Sequence, residues 1–260
     1  QTKVAKVRTK DHVRALSKLT RTVDGELRIV GDPPLVTPIE DVLPGVEQDH
    51  LEEVVRRMIR KYSRTLPGDR RHLIESYRYA HAAHKVVGVG SVGTRAWILL
   101  MIGRDNNDPV FLQFKEAQAS VLEPFLGKSQ YSQHGQRVVE GQRMMQTAPD
   151  ILLGWEQIPI DGQQRDYYIR QLWDAKGSAD VELMDSPTLE AYGRVCGWSL
   201  AKAHARAGDR VAIAAYLGNG DAFDRAMASF AETYAEQNDR DYRALQDAAA
   251  AGRVSAEMGV

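Results

Sequence analysis

The chain has 260 residues, 43% of them hydrophobic and 27% charged, enough for one large domain or two small ones of ordinary globular balance. A formal net charge of −1 gives no basis for a nucleic-acid partner, and no apolar run is long enough to span a membrane. The one cysteine, Cys196, excludes an internal disulfide and fits a reducing cytoplasm. The start at Gln1 fits the remainder of a longer protein.

Residues 1–20 are basic and read as a helix, with Val13, Leu16 and Leu19 near one face. A solvated helix accounts for those charges better than an anionic partner does. "VDGELRIVGDPPLVTPIEDVLPG" reads as a turn-rich connector holding short extended pieces. "EQDHLEEVVRRMIRKYSRTL" is a helix with Leu51, Val54, Val55, Met58 and Ile59 as its stripe. A second helix is expected from about Arg70 to His84. His81 and His84 would then lie three apart, the wrong spacing for a helical zinc site, so no metal is assigned.

The texture changes at Val86. "VVGVG" and "RAWILLM" read as strands joined through Gly88, Gly90, Ser91 and Gly93. "GRDNND" is a turn and "PVFLQFKEA" the next strand. A helix containing "QHGQRVVEGQRMMQ" follows, then "ILLGWEQIPI" and "RDYYIRQLW" as a hairpin. Short turns imply mainly antiparallel pairing. Beyond "DAKGSADVELMD" the chain is helical again. Ser186 is the expected cap with Pro187 at the first position, Gly208 ends that helix, and a long helix covers about 221–250. Leu189, Tyr192, Cys196, Leu200 and Ala203 form the apolar face of the helix between Ser186 and Gly208, which predicts a buried helix and an inert thiol.

The glycines fit G-x-G-x-x-G. A dinucleotide turn needs a helix after the third glycine, and "TRAWILLM" reads as a strand. A kinase-type phosphate flap joins two antiparallel strands instead. It requires a lysine on the third strand and a carboxylate on the next helix. Lys115 and Glu140 occupy those places; Glu116 and Glu123 are less well placed. Each element alone has a plain reading. The glycines would be a turn device, Lys115 a solvated strand residue, and Glu140 a surface partner of Arg137 or Arg143. The ordered set favours a nucleotide grip. Tyr167, Tyr168 and Trp173 near the end of the last strand are candidates to stack on a base, though aromatic strand residues are commonly core. His204 and Asp209 lie close together in "AKAHARAGD". Asp209 is a candidate catalytic base, with a helix-end residue as its plainer reading.

"VVGVGSVGTRAWILL", "FLQFKEAQASVLEPFLG", "HGQRVVEGQRMMQ", "YYIRQLWDAKGSADVE" and "CGWSLAKAHARAGD" resemble the uncharacterised bacterial family DUF2252, as do "RALSKLTRTVDGELRI" and the tail from "GNGDAFDRAM". The resemblance covers nearly the whole chain. It implies distant similarity to aminoglycoside-phosphotransferase and protein-kinase-like folds. It also implies an upstream region with a Gly-Asp-x-His-x-x-Asn catalytic loop and an Asp-rich metal loop, which this sequence lacks.

The expected architecture is therefore α+β and kinase-like. A five-stranded, mainly antiparallel sheet with one inserted helix is flanked by helical segments. The divisions expected are a helical segment 1–85, a glycine-loop lobe 86–175 and a helical segment 176–260. The expected activity is ATP-dependent phosphoryl transfer to a hydroxyl-bearing substrate, with ATP and Mg2+ as cofactors. A non-catalytic nucleotide-binding or protein-interaction module is the alternative.

Overall fold

The computed structural model describes residues 19–86, 93–160, 162–172 and 179–255. Strands β1 (Thr20–Val23) and β2 (Glu26–Ile29) form an antiparallel hairpin. Asp24 and Gly25 make its turn with φ 52° and 84°, the positive angles that a two-residue Asp-Gly turn demands. Next come β3 (Val36–Pro38), α1 (Ile39–Val42), α2 (Gln48–Ser63) and α3 (Gly68–Glu75). The following strands are β4 (Arg78–Lys85), β5 (Ala96–Ile102) and β6 (Pro109–Ala117). A short α4 (Glu123–Leu126) and then α5 (His134–Met145) lead to β7 (Gly154–Ile160) and β8 (Gln163–Gln171). Helices α6 (Ser186–Ala207), α7 (Arg210–Leu217) and α8 (Ala222–Ala250) follow.

The main sheet has six strands in the order β3-β4-β5-β6-β8-β7, with every pairing antiparallel. The α+β class and the antiparallel pairing agree with the sequence. The count of five strands does not: a six-stranded sheet accompanies a separate two-stranded one. The helix expected over 70–84 is also corrected. It stops at Glu75, and the residues from Arg78 to Lys85 form β4. Alanines at 80, 82 and 83 suit a helix by intrinsic propensity. Here β4 lies between β3 and β5, and Ala82 and Ala83 are both buried against opposite faces of the sheet. Tertiary pairing overrides the local preference. Of the strand expected from Val86, residues 87–90 lie outside the described residues, and Val86 directly follows β4. The expected helix over residues 1–20 falls largely outside the described residues.

One face of the sheet, carrying Ala82, Leu99, Leu112, Phe114, Ile158 and Tyr167, packs with Val55 and Tyr62 of α2 and Ile74 of α3. Gly154 is required there, because a Cβ would lie 2.7 Å from the Tyr62 ring and 2.5 Å from the Thr65 hydroxyl. On the other face Ala83, Ile98, Leu100 and Phe111 pack with Ile29 of the hairpin and with Val36.

The chain divides into two compact units, residues 1–197 and 198–260. Asp185, not Ser186, caps α6: its carboxylate accepts the Thr188 N–H at 3.0 Å. The stripe on α6 is not buried as expected, since Leu189, Tyr192 and Leu200 are exposed. Among the described residues no helix is long and apolar enough to cross a membrane.

Candidate functional site

Alternation along β6 puts Phe111, Gln113 and Lys115 on the hairpin face and Leu112, Phe114 and Glu116 on the α2 face. Lys115 lies opposite Ala96 of β5 and Tyr168 of β8. Gln113, two residues before it, lies opposite Arg170. The pair His84–Trp97, extended by one residue, sets Lys85 beside Ala96. A row Lys85, Ala96, Lys115, Tyr168 therefore crosses four strands. Two strand spacings separate the lysine backbones by about 10 Å, with only a methyl group between them.

Burial holds the Lys115 ammonium below its usual pKa, and the Arg170 guanidinium adds to the effect. Burial lowers Lys85 as well, against the pull of Asp32. Among the described residues neither Lys115 nor Arg170 forms an ion pair. The face thus concentrates partly desolvated positive charge beside the strand ends that the glycine loop connects. Gly93, at the close of that loop, has φ 82°, a backbone setting that disfavours any side chain. Gly88, Gly90 and Ser91 lie outside the described residues.

Helix α5 docks on this same face. Asp166, which shares its strand's alternation with Tyr168 and Arg170, accepts the His134 N–H at 2.7 Å. Its other oxygen accepts from Gln157 Nε2 at 2.9 Å. Gln133 caps the helix by accepting the Gln136 N–H, and its Nε2 donates to Glu156 O at 3.1 Å. Arg143 donates to Leu153 O at 2.7 Å and sits 5.6 Å from the Trp155 ring centroid. Val139 is fully buried. Gly135 lies so close to β8 that a Cβ would be 2.2 Å from Tyr167 O.

Lys115 and the helix that carries Glu140 thus share a sheet face, but no bond joins Lys115 to Glu140 among the described residues. Glu140 pairs with Arg143 at 3.0 Å instead. Glu116 points to the opposite face. There its buried carboxylate accepts from Arg95 N–H at 3.1 Å and from Arg165 at 3.0 Å, with the Arg95 guanidinium at 3.6 Å. Tyr167 is buried on that side too, its phenol pushed up to about 12 by burial and then by Glu116. Tyr168 lies beside Lys115, and Trp173 is outside the described residues.

Asp209 caps α7, one carboxylate oxygen accepting the N–H groups of Val211 and Ala212 at 2.9 and 3.0 Å. This is a helix-end residue at work. His81 and His84 stand on β4, not on a helix. Both nitrogens of His81 are engaged: Nδ1 accepts the Ile29 N–H at 3.1 Å and Nε2 meets Glu40 at 3.1 Å. Glu40 also holds Arg28 at 3.3 Å. Among the described residues no three His, Cys, Asp or Glu side chains are grouped to hold a metal ion.

Sequence reasoning overlooked Lys85 and Arg170. Lys85 lies two strands from Lys115 in register, and Arg170 lies one strand away, opposite Gln113. No curated protein and no solved structure matches the chain. The model of the family described as "Uncharacterized protein conserved in bacteria (DUF2252)" matches residues 1–248, nearly the full length, and the chain belongs to that family.

Proposed function

We propose that the face carrying Lys85, Lys115 and Arg170 holds the phosphates of Mg·ATP, and that the chain is the nucleotide-gripping part of a kinase-like phosphotransferase. One observation carries the reading. Lys115 and Arg170, which form no ion pair among the described residues, gather with the partly desolvated Lys85 on the face where α5 docks, beneath the strand pair joined by the glycine loop. Lys115 acts as a point charge on the phosphates. Gly88, Gly90, Ser91 and Gly93 supply backbone N–H groups, and Mg2+ offsets the remaining triphosphate charge. Glu140 orients Lys115 in this reading, which requires it to leave Arg143 when nucleotide enters. The phosphate acceptor is a hydroxyl-bearing small molecule or protein, and the catalytic loop belongs to the upstream region that the family resemblance implies.

The commitment of the Asp209 carboxylate to two amides favours a second reading for these residues by themselves, a nucleotide-binding module without catalysis. Titration with a fluorescent ATP analogue and Mg2+, alongside thermal shift, tests the shared claim. Lys115→Ala is expected to weaken binding about tenfold or more, as for loss of one charged hydrogen bond. The exposed Lys128→Ala is expected to leave it unchanged. Equal affinity in wild type and Lys115→Ala would refute the assigned grip.

A further inference from the structure

A cavity of about 250 Å3 lies where the β1–β2 hairpin, α1, the first turns of α2 and the start of β4 meet. Packing voids in protein cores rarely exceed the size of a water molecule, whereas at about 30 Å3 per water this cavity has room for about eight non-hydrogen atoms. It opens at an unfinished strand edge. Strand β3 pairs only with Ala83, His84 and Lys85, so among the described residues the first part of β4 has a strand neighbour on the β5 side alone. Both signs of charge line the cavity, Glu26, Glu40 and Glu52 against Arg28 and Arg78. Arg28 is spent, lying 3.3 Å from Glu40 and 3.8 Å from Glu26. His81 adds no charge at neutral pH, because burial holds its ring below the ordinary pKa and Nδ1 accepts the Ile29 N–H. Arg78 is exposed, and it has neither an ion pair nor a side-chain hydrogen bond among the described residues. Tyr79, the next residue, turns to the α2 face. Burial, then Glu40 and Glu52, raise its phenol above the ordinary pKa, so both carboxylates lie within electrostatic reach of one hydroxyl. That hydroxyl has no hydrogen-bond partner among the described residues. Glu52 meets Arg56 at 2.6 Å through Oε1 alone, which leaves Oε2 open on the same terms. Leu43 and Val46, 42% and 44% exposed, form an uncovered apolar rim beside Leu51.

We infer that this cavity binds a free aliphatic α-amino acid of valine or leucine size, its ammonium between Glu40, Glu52 and the Tyr79 hydroxyl, its carboxylate on Arg78 and its side chain on the Leu43–Val46 rim. A zwitterion answers both charges of the lining. A plain amine would leave Arg78 unmatched, and a plain acid would bring an anion beside Glu40 and Glu52. A guanidinium pairs a carboxylate through two parallel hydrogen bonds, and an aliphatic side chain gains from each methylene removed from water. Nothing in this requires the nucleotide reading, because Lys85, Lys115 and Arg170 are not among the lining residues.

L-leucine, glycine, isoamylamine and isocaproate are the probes for isothermal titration against the full chain. Isoamylamine is leucine without its carboxylate, and isocaproate is leucine without its amine. One leucine per chain is expected. Isoamylamine and isocaproate should each bind about tenfold more weakly, from one lost ion pair, and glycine about tenfold or more, from the lost apolar contact. Arg78→Gln should bring leucine down to the affinity of isoamylamine and leave isoamylamine unchanged. Glu52→Gln should weaken leucine and isoamylamine together while sparing isocaproate. If either variant fails to fold, the four ligands on the wild-type chain decide. Equal affinity for leucine and either of its fragments, several leucines per chain, no leucine binding at millimolar concentration, or undiminished leucine binding by Arg78→Gln would each overturn the proposal.

Discussion

Replacing Gly135 by alanine adds one methyl group at the tightest point between α5 and the sheet. The added Cβ would sit 2.2 Å from the Tyr167 carbonyl oxygen, where ordinary contact begins at 3.4 Å, a shortfall of about 1.2 Å. Tyr167 lies between strands on both sides, opposite Glu116 and Glu156, so the carbonyl is not free to retreat. The helix must move instead. A shift of that size takes the His134–Asp166 bond, now 2.7 Å, out of hydrogen-bonding range, and Gln133 to Glu156 O, now 3.1 Å, with it. Two net hydrogen bonds cost about 2 kcal/mol, and partial exposure of Val139 costs about 1 kcal/mol more. The helical preference of alanine over glycine returns up to about 1 kcal/mol. The expected loss is about 2–3 kcal/mol, read as a lowered urea midpoint followed by circular dichroism and tryptophan fluorescence. Gly141, on the same helix, has open space around its missing Cβ. Gly141→Ala should therefore stabilise by about 0.5–1 kcal/mol. A Gly135→Ala protein with the wild-type midpoint, or two alanines shifting it in the same direction, would refute the docking geometry.

Glu116→Ala removes the carboxylate shared by Arg95 and Arg165 and leaves two guanidinium groups facing each other; a destabilisation of about 3 kcal/mol is expected in the same assay. Stability should also fall as pH drops below about 6.5, the ordinary value for a histidine in the unfolded chain. Burial lowers the His81 ring further than Glu40 raises it, so the unfolded chain takes up the proton first, and protonation at Nδ1 would break the bond to Ile29. His84 is shifted in the same direction, so His81→Asn should flatten the slope between pH 7.5 and 5.5 without abolishing it. An unchanged slope would assign the acid sensitivity elsewhere. For Glu40, burial acts upward, but its own backbone amide, His81 and Arg28 outweigh it, so its loss of stability belongs to pH values below about 4.5.

Much of the sheet could be read in the sequence, because "AWILLMI" and "PVFLQFKEA" carry dense β-branched and aromatic residues between clear turns. Strand β4 could not. Its alanines and histidines carry no strand signature, and its conformation is set by β3 and β5 on either side. A register shift between Tyr79 and His81 further blurs the two-residue period there. Strand β3, three residues ending in proline, is too short to announce itself. The stripe on α6 shows the opposite error. Periodicity identified Leu189, Tyr192 and Leu200 as apolar neighbours, but an apolar stripe does not say what covers it. At the site, Lys115 stood out from its strand and the preceding glycines. Lys85 and Arg170 carry no comparable local signal. What groups them is lateral pairing between strands far apart in sequence, a property that no local window contains. For Glu140 the plainer reading of the sequence holds: a carboxylate three residues before an arginine has a near partner ready, and it pairs with Arg143 on its own helix.

The two outermost strands of the large sheet each carry a proline, Pro38 in β3 and Pro159 in β7. Proline offers no amide hydrogen, so neither border presents an unbroken row of donors to an incoming strand. The sheet is thereby protected from growing by addition of another chain's strand. Substituting both prolines with threonine would expose longer pairing edges and turn a self-limiting sheet into one able to recruit its own copies.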